Sequence, residues 1–461
     1  MVRLTPPPAD STAPLKSLDD VDLRALLAIL LGVALGALDT SIANTALPAI
    51  AADLKASPAA SIWVINAYQL AVVATLLPLA ALGDLVGPRR VFLAGLAVFA
   101  VASLACACAG TLPALAAARA LQGIGASGVM SVNIALIRLI FPASRLGRGV
   151  GINALVVGVS FALGPTIASL VLSIADWPWL FAINVPLAMI ALAFAWPALP
   201  RTARGAHRLD LLTALLTVLT FAALILALGA AAQREAMSLV VLPLAIAVAA
   251  GLLLLRRQAG HPAPMLPVDL LRRPLFALSA ITSMASFTAQ GLAFVALPFY
   301  FEDVLHRNPV DTGFLMTPWP IIVALAAPVA GRLSDQRFSP GLLGGVGLAI
   351  LGAGLVSLAL LPANPDALSI VLRMAICGCG FGLFQAPNLK ALMSSAPPER
   401  SGGASGVIAM ARLLGQSAGA ALVALCFGLA GAQGPTAALA LGAAFAGLAS
   451  AASFARLGVR A

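Results

Sequence analysis

Leu30-Leu-Gly-Val-Ala-Leu-Gly-Ala-Leu-Asp39-Thr-Ser-Ile-Ala-Asn44 sets one carboxylate in the middle of an apolar run. With its flanks the run exceeds the roughly 20 residues that carry a helix across a bilayer. The stretch therefore reads as a membrane span with a charge deep inside it. Ionising a carboxylate in that position is costly, so a functional reason for keeping it is the default hypothesis. Such a group can hold a proton, a cation or an internal arginine. Of the 17 acidic residues in the chain, Asp39 alone reads as lying deep within a span.

The same kind of run recurs along all 461 residues, which are 61% hydrophobic and only 10% charged. The mean hydropathy of +1.03 exceeds what a soluble domain of this size needs. The class is a polytopic all-α membrane protein. A membrane barrel would alternate in segments of about 10 residues, and that pattern is absent. The net charge of +10 would suggest nucleic acid in a soluble protein,. Here the basic residues fall between apolar runs, so topology accounts for them and no nucleic-acid partner is expected. No cleavable signal peptide is expected, because residues 1–22 are polar and Pro-rich and the first apolar run is too long for one,. Cys106, Cys108, Cys377, Cys379 and Cys426 lie in apolar runs without His or acidic company, so they read as packing residues rather than metal ligands,.

Fourteen transmembrane helices are predicted, at 25–49, 61–82, 91–110, 113–138, 148–173, 178–198, 210–230, 238–255, 274–303, 312–333, 341–361, 367–392, 403–429 and 436–456. An even number puts both termini on one side. Loops on that side carry most of the arginines, among them Arg89, Arg90, Arg145, Arg148, Arg204, Arg208, Arg256, Arg257, Arg272, Arg273, Arg332, Arg337, Arg400, Arg456 and Arg460. The other side carries only Lys55, Arg234 and Arg307. By the positive-inside rule both termini are cytoplasmic, in a cytoplasmic (inner) membrane.

The chain also repeats itself. Gly83-Asp84-Leu-Val-Gly-Pro-Arg89-Arg90 closes the second helix, and Gly331-Arg332-Leu-Ser-Asp335-Gln-Arg337 closes the tenth. Arg119-Ala-Leu-Gln122-Gly123 follows in helix 4, and Arg373-Met-Ala-Ile-Cys-Gly378 follows in helix 12. Two six-helix bundles related by a parallel repeat are the expected architecture, with substrate sites at their interface. The expected division is a cytoplasmic tail over 1–24, a first bundle over 25–200, two inserted helices with linkers over 201–273, and a second bundle over 274–461.

At these residues the chain resembles the major facilitator superfamily, in its fourteen-helix drug:proton antiporter branch. Leu38-Asp39 through Pro48 is similar to the branch's helix 1 signature. Gly83–Arg90 resembles the superfamily's loop 2–3 motif, and Arg119–Gly123 its helix 4 motif. Trp177-Pro-Trp179-Leu-Phe181-Ala-Ile-Asn184-Val-Pro186 is similar to the entry of helix 6, and is the most diagnostic stretch. Gly402–Gly406 followed by Arg412–Gly415 resembles helix 13. The sequence departs from the pattern at Leu85 and Pro88, where more basic character is usual. Gly164-Pro165 stands as in the helix 5 antiporter motif, but Ser160, Ala168 and Ser169 replace glycines. The resemblance implies two pseudo-symmetric six-helix bundles, antiport, multidrug efflux and antibiotic resistance.

The residues support a physical reading beside that one. Asp39 lies roughly 21 Å into helix 1 and Arg119 roughly 9 Å from the opposite end of helix 4, at 1.5 Å per residue. In a core about 30 Å thick the two match in depth. A proton-coupling Asp39–Arg119 pair is therefore expected, with the guanidinium able to grip the carboxylate bidentately. Burial disfavours an ionised carboxylate and a neighbouring arginine favours it, and alternation between the two is what a proton-coupled carrier needs. Arg373 and Arg412 are further embedded cations with no acid in view; Arg373 is expected to bond backbone carbonyls or line a wet cavity, and Arg412 to face the cavity or bond between helices.

Asp84, Arg89, Arg90 and Asp335 are expected to latch one conformation. Gly158, Gly164 and Pro165 are expected to let helix 5 pack closely and bend. Asn44, Asn66, Tyr68, Gln69, Gln122, Asn153, Gln290, Trp319, Gln385 and Arg412 are candidate substrate-cavity residues, each as consistent with interhelical packing. Trp177 and Trp179 read as interfacial anchors. Glu302, Asp303 and Asp311 are expected at helix ends where water is available.

No nucleotide-binding loop and no Ser/His/Asp constellation is visible. No cofactor and no enzymatic activity is expected, and the driving force is assigned to a proton gradient. The reading is a monomeric proton-coupled exporter of amphipathic organic compounds, such as lipophilic cations. The competing reading within transport is an exporter of neutral or anionic metabolites held by Arg373 or Arg412. A scaffold or receptor would need a sizeable domain outside the membrane, and none is visible.

Overall fold

The computed structural model describes residues 22–141, 146–201, 211–232, 237–258, 268–362, 364–395 and 401–459. The tail before Asp22 and the loop residues Arg145, Arg204, Arg208, Arg234, Arg400 and Arg460 lie outside them.

Among the described residues the chain folds into α1 (Leu23–Asp53), α2 (Pro58–Val86), α3 (Pro88–Ala107), α4 (Leu112–Ile140), α5 (Leu146–Leu172), α6 (Pro178–Ala198) and α7 (Leu211–Ala232). There follow α8 (Met237–Gln258), α9 (Pro274–Val304), α10 (Pro309–Gln336), α11 (Pro340–Ala359), α12 (Ala367–Ser394), α13 (Ser401–Ala430) and α14 (Gly434–Ala455). Among the described residues thirteen stretches are long and apolar enough to cross a membrane. The last, Val407–Gly458, holds both α13 and α14, joined by a tight turn at Gly431–Gln433, which reconciles it with the fourteen predicted helices.

Local chemistry sets the helix ends. Asp22 accepts from the backbone N–H of Arg24 and Ala25 and caps α1, while Thr111, Asn308 and Ser339 cap α4, α10 and α11 in the same way,. Each of those three caps is followed by a helix with proline in its first turn, where a missing N–H costs nothing,. α2 runs four residues beyond its predicted end and stops at Gly87, whose φ of 96° few other residues adopt,.

The helices form two six-helix bundles, α1–α6 and α9–α14, with α7 and α8 as an inserted pair. Lipid supplies no hydrophobic drive between helices, so close packing of small residues must. The repeat is visible in that packing. A Cβ at Gly123 of α4 would overlap the carbonyl of Tyr68 on α2, and one at Gly378 of α12 would overlap the carbonyl of Trp319 on α10. α7 lies against both α2 and α13, covering one seam between the bundles, and its Gly229 meets the ring of Trp63.

The bundles join at the end away from the described termini. There Ile42, Leu47 and Ile50 of α1 share one apolar core with Leu292, Val295 and Phe299 of α9 and Phe427 of α13. At the other seam Thr166 of α5 and Thr317 of α10 are hydrogen-bonded at 2.8 Å, and Ser169 donates to the Pro309 carbonyl at 3.4 Å. Nearer the termini the same two helices expose Leu155, Val159, Leu325 and Val329.

Candidate functional site

The apolar segments of α1 and α4 bring Asp39 and Arg119 into contact, as their matched positions along the two helices predict. Arg119 Nη1 donates to Asp39 Oδ2 at 2.5 Å, and each residue is only 1% exposed. The bidentate grip open to an arginine is not the one used. The other carboxylate oxygen, Oδ1, accepts instead from Gln122 Nε2 and Asn184 Nδ2, both at 2.8 Å. The guanidinium is turned by its remaining partners: Nε donates to the Val64 carbonyl at 3.0 Å and Nη1 also donates to Gln122 Oε1 at 2.5 Å. Its central carbon lies 4.3 Å from the Tyr68 ring centre and 5.4 Å from that of Phe181, contacts that favour a cation. Gln122 Nε2 spends its second hydrogen on Ser103 of α3 at 2.9 Å. One carboxylate thus ties together α1, α4 and α6, and through Gln122 and Arg119 reaches α3 and α2.

Asn184 is the residue sequence reasoning left out of this site, although it stands inside the diagnostic Trp177–Pro186 stretch. The available signal was a carboxamide in an apolar helix. Its Oδ1 is buried without a hydrogen-bond partner among the described residues. Tyr68 and Gln122, expected in the substrate cavity, belong to the Asp39 network. The spacing of Gln122 one turn after Arg119 puts both on the face of α4 that meets α1.

A second locus lies between the bundles. Asn44 and Thr40 of α1, Gln69 of α2, Phe161 of α5, Gln290, Gly291, Phe294 and Val295 of α9, and Gln416 of α13 line a small void. Gln69 Oε1 accepts from Ser417 across the interface at 3.1 Å, and Gln416 Nε2 donates to Gln290 Oε1 at 3.3 Å. Asn44 Oδ1 is buried with no partner among the described residues. Phe161 and Phe294 face one another across the bundles, with ring centres 5.3 Å apart. Of the expected cavity residues, Asn44, Gln69 and Gln290 gather here; Gln416 and the two phenylalanines join them without having been foreseen.

The remaining candidates lie elsewhere. Asn133 donates to Asn153 at 2.9 Å, tying α4 to α5. Trp319 is fully buried beside Phe294, with ring centres 5.1 Å apart. Asn66 is buried outside the void, Gln385 is exposed, and Arg412 is half-buried with no hydrogen-bond or ion-pair partner among the described residues. Arg373 donates to the Ser369 carbonyl one turn back at 3.1 Å, the first of its two expected arrangements.

At the expected latch, Arg89 donates to the Trp196 carbonyl, Arg90 to the Val86 carbonyl at 3.3 Å, and Asp84 is exposed. Asp335 pairs with Lys390 of α12 at 2.5 Å, rather than with the arginines of its own motif. Gly164 touches Ser41 so closely that a Cβ would overlap it, and the Pro165 carbonyl accepts from Ser169 at 2.9 Å. Gly158, by contrast, has open space around it, so it makes no close contact here.

Three other residues differ from expectation. Trp177 is buried and donates to Asp53 at 2.7 Å, so only Trp179 keeps the exposure of an interfacial anchor. Glu302 sits on a wide helical turn, Tyr300–Val304, with its Oε1 buried and unpartnered among the described residues rather than in water. Arg456, expected among the cytoplasmic-side basic residues at the end of the last helix, is buried and donates to Asn388 Oδ1 at 2.6 Å and Ser279 Oγ at 3.1 Å, clamping α9 and α12 to the end of α14.

A family model described as Major Facilitator Superfamily matches residues 29–420. The chain is 54% identical over 403 residues to a protein named uncharacterized transporter YebQ from Escherichia coli K12, covering 87% of this chain and 88% of the relative. It is 31% identical over 405 residues to the riboflavin transporter RibZ of Clostridioides difficile, covering 87% of each. It is 32% identical over 405 residues to the tetracenomycin C resistance and export protein of Streptomyces glaucescens, covering 86% of this chain and 74% of the relative. In fold it resembles a POT family transporter crystallised with a thioalcohol-conjugated peptide, with a TM-score of 0.72 at 14% identity over 93% of this chain and 95% of that one.

Proposed function

Because the chain belongs to the major facilitator superfamily, we propose that it is a proton-coupled exporter of amphipathic organic compounds, with Asp39 as the proton carrier and Arg119 as its partner. Both termini lie on the cytoplasmic side, and the bundles work by alternating access around the void between them. The observation that carries this reading is the Asp39 network: one carboxylate, almost without exposure, held by three side-chain donors from α4 and α6. Export as the direction is supported by the tetracenomycin C export protein among the relatives.

Ionised, Asp39 uses both oxygens as acceptors and pins α1 to α4 and α6. A proton removes the charge that Arg119 pairs with and turns one acceptor into a donor. At least one N–H then faces an oxygen that no longer receives it as well, and the tie loosens. Asn184 is placed to receive the change. Turning its carboxamide over would present the unpartnered Oδ1 to the new O–H. Arg119 keeps the Val64 carbonyl, the Gln122 oxygen and the Tyr68 ring, so its charge stays solvated when the pair parts.

A second reading, export of anionic metabolites, is favoured by one observation: Arg412 stands half-buried without an ion-pair partner among the described residues. Reconstitution separates these ideas. Proteoliposomes under an imposed pH gradient, loaded with a panel of cationic, neutral and anionic aromatics, should show compound flux that dissipates the gradient. Asp39→Asn should abolish that coupling; flux coupled to the gradient in Asp39→Asn as in the parent chain would refute the role given to Asp39.

A further inference from the structure

We infer that the site between the bundles takes an uncharged, flat heteroaromatic compound with a lactam or imide edge, an N–H beside a C=O. The inference rests on the exporter reading and narrows it. The polar lining is made of the Thr40 hydroxyl and four carboxamides, Asn44, Gln69, Gln290 and Gln416, and contains no charged side chain. A carboxamide offers a donor and an acceptor side by side, so it pairs at two points with an edge that does the same. Asn44 Oδ1 is an acceptor with no partner among the described residues, buried and therefore costly until a ligand N–H fills it,. The Gln416–Gln290 bond, at 3.3 Å, is long and easily exchanged,.

The walls suit a flat ring. Phe161 and Phe294 come from opposite bundles, both line the void, and touch as a tilted ring pair with centres 5.3 Å apart. When the bundles part, the two rings separate as the jaws of a slot. Aromatic faces also attract cations, so the charge balance has to decide. The nearby carboxylate, Asp39, is enclosed on the other side of α1 with its acceptors occupied. Arg412 precedes Gln416 by one turn on the same helix, and its charge repels a cation,. A cation stripped of water here would find no counter-charge. An anion would find Arg412 near but not in the lining.

The test is equilibrium binding by calorimetry on the full chain in detergent, with no gradient present. The probes are lumichrome as the neutral imide, tetraphenylphosphonium as the lipophilic cation and 2-naphthoate as the aromatic anion. Lumichrome should bind at least about tenfold more tightly than either, and Asn44→Ala should weaken it by about tenfold. Gln290→Glu, which keeps shape and adds a charge, should exchange the preference in favour of tetraphenylphosphonium. Size-exclusion profiles identify any variant that misfolds, and the Gln290→Glu reversal reads out only on folded protein. Tighter binding of the cation or the anion to the parent chain, no lumichrome binding, or variants that leave the ranking untouched would each overturn the inference. Failure of the exporter reading looks different: lumichrome binds as expected, yet no compound flux dissipates a pH gradient in proteoliposomes.

Discussion

Replacing Asp39 by asparagine removes one charge and almost no volume, so its effect isolates the ion pair. Two unit charges about 4 Å apart attract by about 4 kcal/mol at an effective dielectric near 20. Breaking a buried pair by removing one partner costs about 3–5 kcal/mol, because the other charge stays behind. Here the loss is limited. Arg119 retains the Val64 carbonyl at 3.0 Å and Gln122 Oε1 at 2.5 Å, and its stacking on Tyr68 is unchanged. A second cost enters, since the carboxamide that replaces the carboxylate directs a donor at one of the three groups that already donate to this position. The expected destabilisation is about 3–4 kcal/mol. It should be measured by unfolding in mixed micelles for Asp39→Asn, Arg119→Ala and the double variant. The cycle should return a coupling energy of about 2 kcal/mol or more, because the residues share one network. Transport should follow a different rule: gradient-driven flux should vanish in Asp39→Asn while the protein remains monodisperse. Strict additivity in the cycle would mean that the two charges do not interact, and would refute the reasoning at its root.

Three further outcomes follow from the geometry. Asn184→Leu removes one donor to Asp39 and the spare acceptor beside it, so gradient-driven flux should fall severalfold and its dependence on pH should shift relative to the parent, read in proteoliposomes across a pH series. Gly164→Ala should lower thermal stability while Gly158→Ala should not, because a Cβ overlaps Ser41 at the first position and meets nothing within 4 Å at the second; the measurement is a pair of melting curves in detergent. Asp335→Ala should cost no more than about 1 kcal/mol, since its bridge to Lys390 is solvent-exposed, with the carboxylate side chain 64% accessible,, and unfolding in mixed micelles would check it.

That Asp39 and Arg119 meet was legible because a helix advances by a fixed rise, so position in sequence translates into position along the helix,. The fourteen helices were legible for the same reason. What the sequence could not supply is how side chains at one depth share partners. Gln122 and Asn184 take one carboxylate oxygen, and that choice depends on how α4 and α6 are rotated against α1. Burial at helix ends was also hidden. Trp177 and Arg456 stand where a one-dimensional reading expects water, yet Asp53 and Asn388 reach them from helices distant in sequence. The cavity was half legible: every polar residue in an apolar helix is a candidate, but only packing separates Gln290, in the void, from Asn153, bonded to Asn133.

The two loci meet on one helix, and that arrangement bears on coupling. Asp39 faces the interior of the first bundle, whereas Thr40 and Asn44, one turn apart, face the void between the bundles,. Asp39 and Asn44 are separated by roughly 7–8 Å along the axis. In the proposed cycle a proton on Asp39 would release α1 from α4 and α6, and a ligand on Asn44 would load the same helix from its other side. Neither event needs to touch the other, since both bias the position of a single rigid element, which is the physical requirement for coupling between sites. The ligand can then be uncharged without loss of energy transfer, because the proton acts on the helix rather than on the compound.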